Sequence, residues 1–139
     1  MKTNVVFYSK TGHSRKIAEA IGKELNVTPK SIKPELQLEE TDLLFLVGGI
    51  YGGKCSPEIV QFASELTNNK IVNAVLVTSC MSNKQGQDEV RKTLEKNGIN
   101  VFKNEYICKG SFLFFGMGHP SIEEVENAAL FAKRTASQL

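Results

Sequence analysis

Ser9, Thr11 and Ser14 bracket Gly12 in the segment Ser9-Lys10-Thr11-Gly12-His13-Ser14, and hydroxyls at that spacing suit an anion. The segment follows the apolar run Val5-Val6-Phe7-Tyr8 and opens an amphipathic stretch, so it reads as a strand-to-helix turn. At a helix start the first backbone N–H groups lack intrahelical partners, and the helix dipole favours negative charge. Gly12 lets the chain turn without a side chain in the way, and a phosphate group is the expected occupant. Ser9 and Ser14 have a plainer use as helix caps, although a cap needs only one of them. Lys10 and His13 either assist the phosphate or are solvated. Two further loops place groups of interest after strands: Gly48-Gly49-Ile50-Tyr51-Gly52-Gly53, with an aromatic between glycines, and Ser79-Cys80-Met81-Ser82.

The elements that must position these loops follow from hydrophobic periodicity. Val5 to Tyr8 is a buried strand, and Ile17, Ala18, Ile21 and Leu25 recur at helical spacing from about Ser14 to Leu25. Thr28 to Lys33, flanked by Pro34 and containing Pro29, reads as a short edge strand. Leu43-Leu44-Phe45-Leu46-Val47 and Ala74 to Ser79 are continuous apolar runs, as central parallel strands require. Ser56-Pro57-Glu58 signals a helix start, with Ile59, Phe62, Ala63 and Leu66 on its inner face. A third helix carries Val90 and Leu94 and stops at Asn97-Gly98. Val101 to Cys108 is the other edge strand. Ser121-x-x-Glu124 is a capping box for a last helix with Ile122, Val125, Ala129 and Ala132 inward. Five strands alternating with four helices predict a doubly wound five-stranded parallel α/β sheet, order 2-1-3-4-5, with helices on both faces. Ligands in such sheets bind at the carboxyl ends of the strands, where the loops 9–14, 49–55 and 79–86 converge.

Composition narrows the function. The chain of 139 residues is expected to form one domain, 1–139, and its net charge of +2 with scattered Lys and Arg gives no nucleic-acid footprint. No apolar run approaches membrane-spanning length, and because Met1-Lys2-Thr3 leads directly into the first strand, no signal peptide is expected. Cys55, Cys80 and Cys108 are odd in number and widely spaced, which fits reduced thiols in a cytoplasmic protein. Cys55 and Cys80 flank the loops either as small apolar filler or as a redox-sensing pair. His119, after Phe112, Phe114 and Phe115, belongs to a helix-entry turn or to an apolar wall for a flat organic substrate. A Walker A motif and a G-x-G-x-x-G fingerprint are both absent, and the strand ends lack the carboxylates of a phosphorelay receiver.

Ser9-Lys10-Thr11-Gly12-His13-Ser14 resembles the phosphate loop of flavodoxins, Thr/Ser-x-Thr-Gly-x-Thr/Ser, and Arg15-Lys16-Ile17-Ala18 continues that family's helix start. Gly48 to Gly53 and Thr78 to Ser82 resemble its two flavin-ring loops, and the short fifth strand resembles the short-chain branch. The resemblance implies an FMN-binding protein. Ser9, Lys10, Thr11, Gly12, His13 and Ser14 would surround the phosphate. Gly49, Ile50, Tyr51, Gly52 and Gly53 would meet one side of the ring, with Tyr51 stacking on it. Ser79, Cys80, Met81 and Ser82 would meet the other side and the pyrimidine end. A peptide at Tyr51-Gly52 or Gly52-Gly53 would turn over with the redox state of the cofactor. The implied role is a one-electron carrier between redox-protein partners, with a monomer expected and a dimer left open. One departure stands out: flavodoxins are strongly acidic, whereas this chain is slightly basic, with Lys54 and Lys84 in the ring loops. Such charge would raise the potential for forming the anionic, fully reduced cofactor. Two other readings stay open, an FMN-dependent oxidoreductase reducing quinones with NAD(P)H, and a flavin-free regulatory or interaction domain.

Overall fold

The apolar run Leu43–Val47 lies at the centre of a parallel sheet, and every one of its side chains is fully buried. A computed structural model describes residues 1–9, 12–51, 54–80, 86–109 and 122–139, with backbone alone for Tyr51, Cys80, Cys108, Lys109 and Ile122. In chain order the elements are β1 (Thr3–Phe7), α1 (His13–Leu25), β2 (Lys30–Ser31), β3 (Thr41–Tyr51), β4 (Lys54–Cys55) and α2 (Pro57–Ser64). They continue with β5 (Ile71–Cys80), α3 (Asp88–Lys96), β6 (Asn100–Val101), β7 (Tyr106–Lys109) and α4 (Ile122–Ala136). The sheet runs β2-β1-β3-β5-β6, each neighbouring pair parallel, and β7 also pairs parallel with β5. This is the doubly wound α/β sheet in the order that the sequence predicts, its fifth strand drawn in two pieces.

Alternation along the strands sorts the core into two layers. Val5, Phe7, Leu43, Phe45, Val47, Val75 and Val77 pack against Ile17, Ala18 and Ile21 of α1 and against Ala128 and Ala132 of α4. Val6, Leu44, Leu46, Ala74 and Leu76 face the other way, onto Ile59, Phe62 and Ala63 of α2 and Val90 and Leu94 of α3. The inner stripe of α4 differs from expectation by one residue. Ala128, Ala132 and Thr135 are its deepest positions, while Val125 and Ala129 are half-buried. Apolar residues flank both sides of that stripe, so periodicity alone does not choose between them. Ser121 of the expected capping box lies outside the described residues.

Three local departures bear on the site. The expected loop 49–55 is instead largely strand. β3 runs on to Tyr51 and turns back as β4, with Ile50 opposite Cys55 and Tyr51 opposite Lys54. A two-residue Gly-Gly connection is what such a hairpin demands. The expected strand Val101–Cys108 is interrupted. Val101 pairs with Ala74 and Tyr106 with Val77, so the four residues 102–105 span two positions of β5. Such a bulge re-aims side chains, and here it turns Glu105 inward. Finally, Ser56 sits at the N-cap of α2 before Pro57, as expected, but its side chain makes no capping bond. The far ends of α2 and α3 are fastened by Asn97, whose Nδ2 donates to the carbonyls of Leu66 (2.9 Å) and Ser64 (3.2 Å). Among the described residues no helix is long and apolar enough to cross a membrane.

Gly48 is a glycine for space. A Cβ there would lie 2.5 Å from Ile59 Cδ1 and 3.0 Å from Gln87 Oε1. Gly48→Ala is therefore expected to lower stability by about 1–3 kcal/mol through overpacking, read as a lower urea midpoint at unchanged slope.

Candidate functional site

The strand registers bring the loops to one level. Phe7 ends β1 opposite Val47, and the Tyr8 N–H still donates to the Val47 carbonyl (3.1 Å). Two residues on, Gly49 lies opposite Ser79, and Ser79 opposite Cys108. The chain therefore leaves β1, β3, β5 and β7 along a single edge. β7 ends at Lys109, opposite Cys80, and the segment 110–121, with His119 and the phenylalanines before it, lies outside the described residues.

At the first loop the capping question has a definite answer. Gly12, with φ of 90°, is the N-cap of α1, which begins at His13, and as a glycine it has no side chain with which to cap the helix. Ser9 acts within the loop instead: its Oγ accepts the Gly12 N–H at 2.8 Å. The first intrahelical bond runs from the Lys16 N–H to the Gly12 carbonyl (3.1 Å). In a helix that starts at His13, the amides of Ser14 and Arg15 precede the first intrahelical bond. The first turn of α1 carries no acid, whereas α2 has Glu58, α3 has Asp88 and Glu89, and α4 has Glu123 and Glu124. Ser14 is fully buried, and its Oγ has no hydrogen-bond partner. A helix start with no acid in its first turn and a buried hydroxyl without a partner is chemically suited to a phosphate. A Cβ on Gly12 would meet nothing within 4 Å, so it is the φ of 90° and not a lack of space that calls for glycine at this N-cap. Lys10 and Thr11 lie outside the described residues, and His13 is half-buried.

The other loops show the same signature. Gly49, Ile50 and Ser79 are buried at the strand ends. Tyr51 and Cys80 are placed by their backbones in β3 and β5. Gly52, Gly53, Met81 and Ser82 lie outside the described residues. Nearly all buried polar groups in folded proteins are paired, so exceptions are informative. Among the described residues the unpartnered buried side-chain atoms are Ser14 Oγ, Ser56 Oγ and Gln87 Oε1. Ser14 is in the first turn of α1, Ser56 is the N-cap of α2 and Gln87 the N-cap of α3. All stand where the chain re-enters structure after the loops at the carboxyl edge.

Gln87 is a residue that sequence reasoning missed. Its Nε2 donates to the Val77 carbonyl (2.9 Å), and its own N–H donates to Glu105 Oε1 (2.9 Å). Thr78 Oγ1 donates to the same Glu105 oxygen at 2.7 Å, and Arg91 lies 3.5 Å from the other one. A glutamine in a polar loop and a glutamate in an edge strand carry no periodic signal, so nothing in the sequence marks them.

The register sets Cys55 and Cys80 too far apart for a disulfide with each other. Cys55 and Cys80 both lie opposite Ile50, on its two neighbouring strands. Two strand spacings separate their Cα atoms by ~9–10 Å, beyond the ~7 Å limit for a disulfide. Burial pushes the Cys55 thiol above its ordinary value, with Glu89 and Asp88 adding repulsion of the thiolate. Elsewhere, a cavity of ≈ 260 Å³ lies beside Tyr8, Ile32, Leu36 and Phe62. Its polar lining, Lys33, Glu58, Gln61 and Glu65, is all exposed, so it lacks the buried polar groups that mark the strand-end site.

Residues 4–112 match the model of a flavodoxin domain family. No match to the chain was found among curated protein sequences. Among solved structures, an oxidised flavodoxin 2 from Bacillus cereus superposes with a TM-score of 0.76 at 15% identity, covering 100% of both chains. A flavodoxin from the domain Archaea gives 0.75 at 16% identity, over 99% of this chain and 98% of that one. A WrbA-like flavodoxin from Agrobacterium tumefaciens gives 0.73 at 19% identity, over 98% and 95%.

Ser14→Ala removes a buried hydroxyl with no partner, so the ligand-free protein should gain about 1 kcal/mol in urea unfolding. Cys55, with its raised pKa, carries less thiolate than a free cysteine at pH 8. Iodoacetamide should label it more slowly than free cysteine there, and faster as pH rises, by peptide mass spectrometry.

Proposed function

Because the chain belongs to the flavodoxin domain family, we propose that it binds FMN at the carboxyl edge of its sheet and carries single electrons between redox proteins. The observation that supports this most is the buried, unpartnered Ser14 Oγ in the first turn of α1, the helix whose first turn carries no acid. Nearly all buried polar groups are paired, so this hydroxyl suits an acceptor oxygen supplied by a ligand.

The FMN phosphate is assigned to the start of α1. There the dipole and the amides of the loop and helix start from Lys10 to Ser14 favour its charge, and the Ser9, Thr11 and Ser14 hydroxyls donate to its oxygens. Ser9 has a proton to give even while its oxygen accepts the Gly12 N–H. Lys10 and His13 flank the phosphate without being needed for its charge. The ring is assigned to the space between Gly49-Ile50-Tyr51-Gly52-Gly53 and Ser79-Cys80-Met81-Ser82, with Tyr51 stacked on it. Bound FMN supplies reversible electron transfer, which the neighbouring side chains do not. The chain's own part is to hold the phosphate end fast and to present backbone groups of 79–82 at the pyrimidine end. The net charge of +2 and the exposed Lys54 beside the site suit partners with an acidic rim.

The purified protein should be yellow, or take up FMN with a shifted flavin spectrum. Anaerobic titration should resolve two one-electron steps, and NAD(P)H oxidation with a quinone should be negligible. Sustained NAD(P)H-dependent quinone reduction would move the assignment to an FMN-dependent reductase. A colourless protein that ignores added FMN would overturn both and leave an interaction domain. Ser14→Ala, which stabilises the ligand-free chain, should weaken FMN binding by about ten-fold, the value of one charge-assisted hydrogen bond.

A further inference from the structure

The third loop leaves the sheet after β5 and returns at Gly86-Gln87, and a single oxygen atom holds both of its flanks. Glu105 Oε1 accepts the Thr78 hydroxyl proton at 2.7 Å on the outgoing side and the Gln87 N–H at 2.9 Å on the returning side. This carboxylate belongs to neither flank. It comes from the bulge at 102–105 in the edge strand, where four residues span two of β5 and Glu105 turns toward α3. Its side chain is only 11% exposed, and Arg91 of α3 stands 3.5 Å from Oε2 while donating to the Phe102 carbonyl at 2.9 Å. Gly86 leaves the space this needs, since a Cβ there would lie 2.5 Å from Glu105 Oε2. The clamp reaches inward as well. The Gln87 side chain, fully buried, donates to the carbonyl of Val77 and lies against Gly48 on β3.

A bulge, a glycine and a buried charge acting together are more than is needed to end a strand. Bringing loop ends together carries an entropic cost, and a ligand that needs the ends in place gains affinity when the protein has already met it. We propose that Glu105 is a positioning residue for the flavin site: its carboxylate staples the flanks of the third loop and so presets the loop that receives the ring. This deepens the FMN reading and rests on it. Glu105 touches no reacting atom and acts through Thr78 and Gln87.

The test compares wild type with Glu105→Ala, Glu105→Gln and Gly86→Ala, by hydrogen exchange on the ligand-free protein and by FMN titration. Glu105→Ala should speed amide exchange at Gly86 and Gln87 and weaken FMN binding, each by about ten-fold or more, with β1 and β3 exchanging as before. Glu105→Gln keeps an acceptor for both donors and should stay within about three-fold of wild type in both measurements. Gly86→Ala, which pushes the carboxylate aside without removing it, should behave like Glu105→Ala. Wild-type exchange at the flanks or wild-type FMN affinity in Glu105→Ala would overturn the proposal. So would faster exchange spread evenly over the sheet, the mark of a mere strut. Failure of the wild-type chain to bind FMN would overturn the flavin reading and the affinity half of this one, while the exchange contrast would still decide whether the staple exists.

Discussion

In a parallel sheet every strand ends at the same edge, and the helices that follow begin there; the rest of this molecule is arranged around that constraint. Helix starts expose unpaired N–H groups and the positive ends of dipoles, so several such ends are gathered along one edge. Glu58 in α2, Asp88 and Glu89 in α3, and Glu123 and Glu124 in α4 offset them with carboxylates. At α1 the sequence supplies no acid, a glycine for the cap and a buried serine with nothing to bond. The one uncompensated helix start among these is the one left open to an anion from outside.

The same edge is held from beneath by polar contacts that need room. Gln87 comes close to Gly48, and Glu105 comes close to Gly86. Neither glycine has a positive φ, in contrast to Gly12 at 90° and Gly98 at 82°. Two of these four glycines thus serve backbone torsion and two serve close approach, roles that look identical in a sequence. The polar contacts also tie stability to the site. Thr78 and Gln87 are fully buried, and the hydrogen bonds that satisfy most of their atoms also fix the loop flanks. Ser14 shows the opposite balance, a buried group kept at a cost to the ligand-free fold.

Legibility in the sequence followed the strength of each periodic signal. Leu43–Val47 and Ala74–Val77 are apolar without interruption because both faces of a central strand are covered, and they emerged as β3 and β5. Ile17, Ala18 and Ile21 gave α1 its buried face, as spacing required. At α4 apolar residues on both sides of the stripe blurred the phase, and Ala128 rather than Ala129 proved deepest. The hairpin of β3 and β4 had its signal in Gly52-Gly53, but a loop reading of the glycines concealed it. Ser56 was correctly placed as an N-cap, because position follows from Pro57, whereas the absence of a capping bond from its side chain carries no local signal.

What the sequence determined by itself is the alternation of buried strands with amphipathic helices, and the chemistry at the first loop. Both are written in neighbouring residues: Val5–Tyr8, then Gly12 among hydroxyls, then Ile17 and Ala18 at helical spacing. Register and bulges were decided only in the folded chain. Which residue of β5 faces Gly49, and where the edge strand spares two residues, depend on contacts between segments far apart in sequence. The pairing of Thr78 and Gln87 through Glu105, and the separation of Cys55 from Cys80 by the width of β3, are of that kind. Hydrophobic periodicity records which face of an element is buried and not which neighbour buries it, so the phosphate end of the site was visible in the chain while the clamp behind the ring end was not.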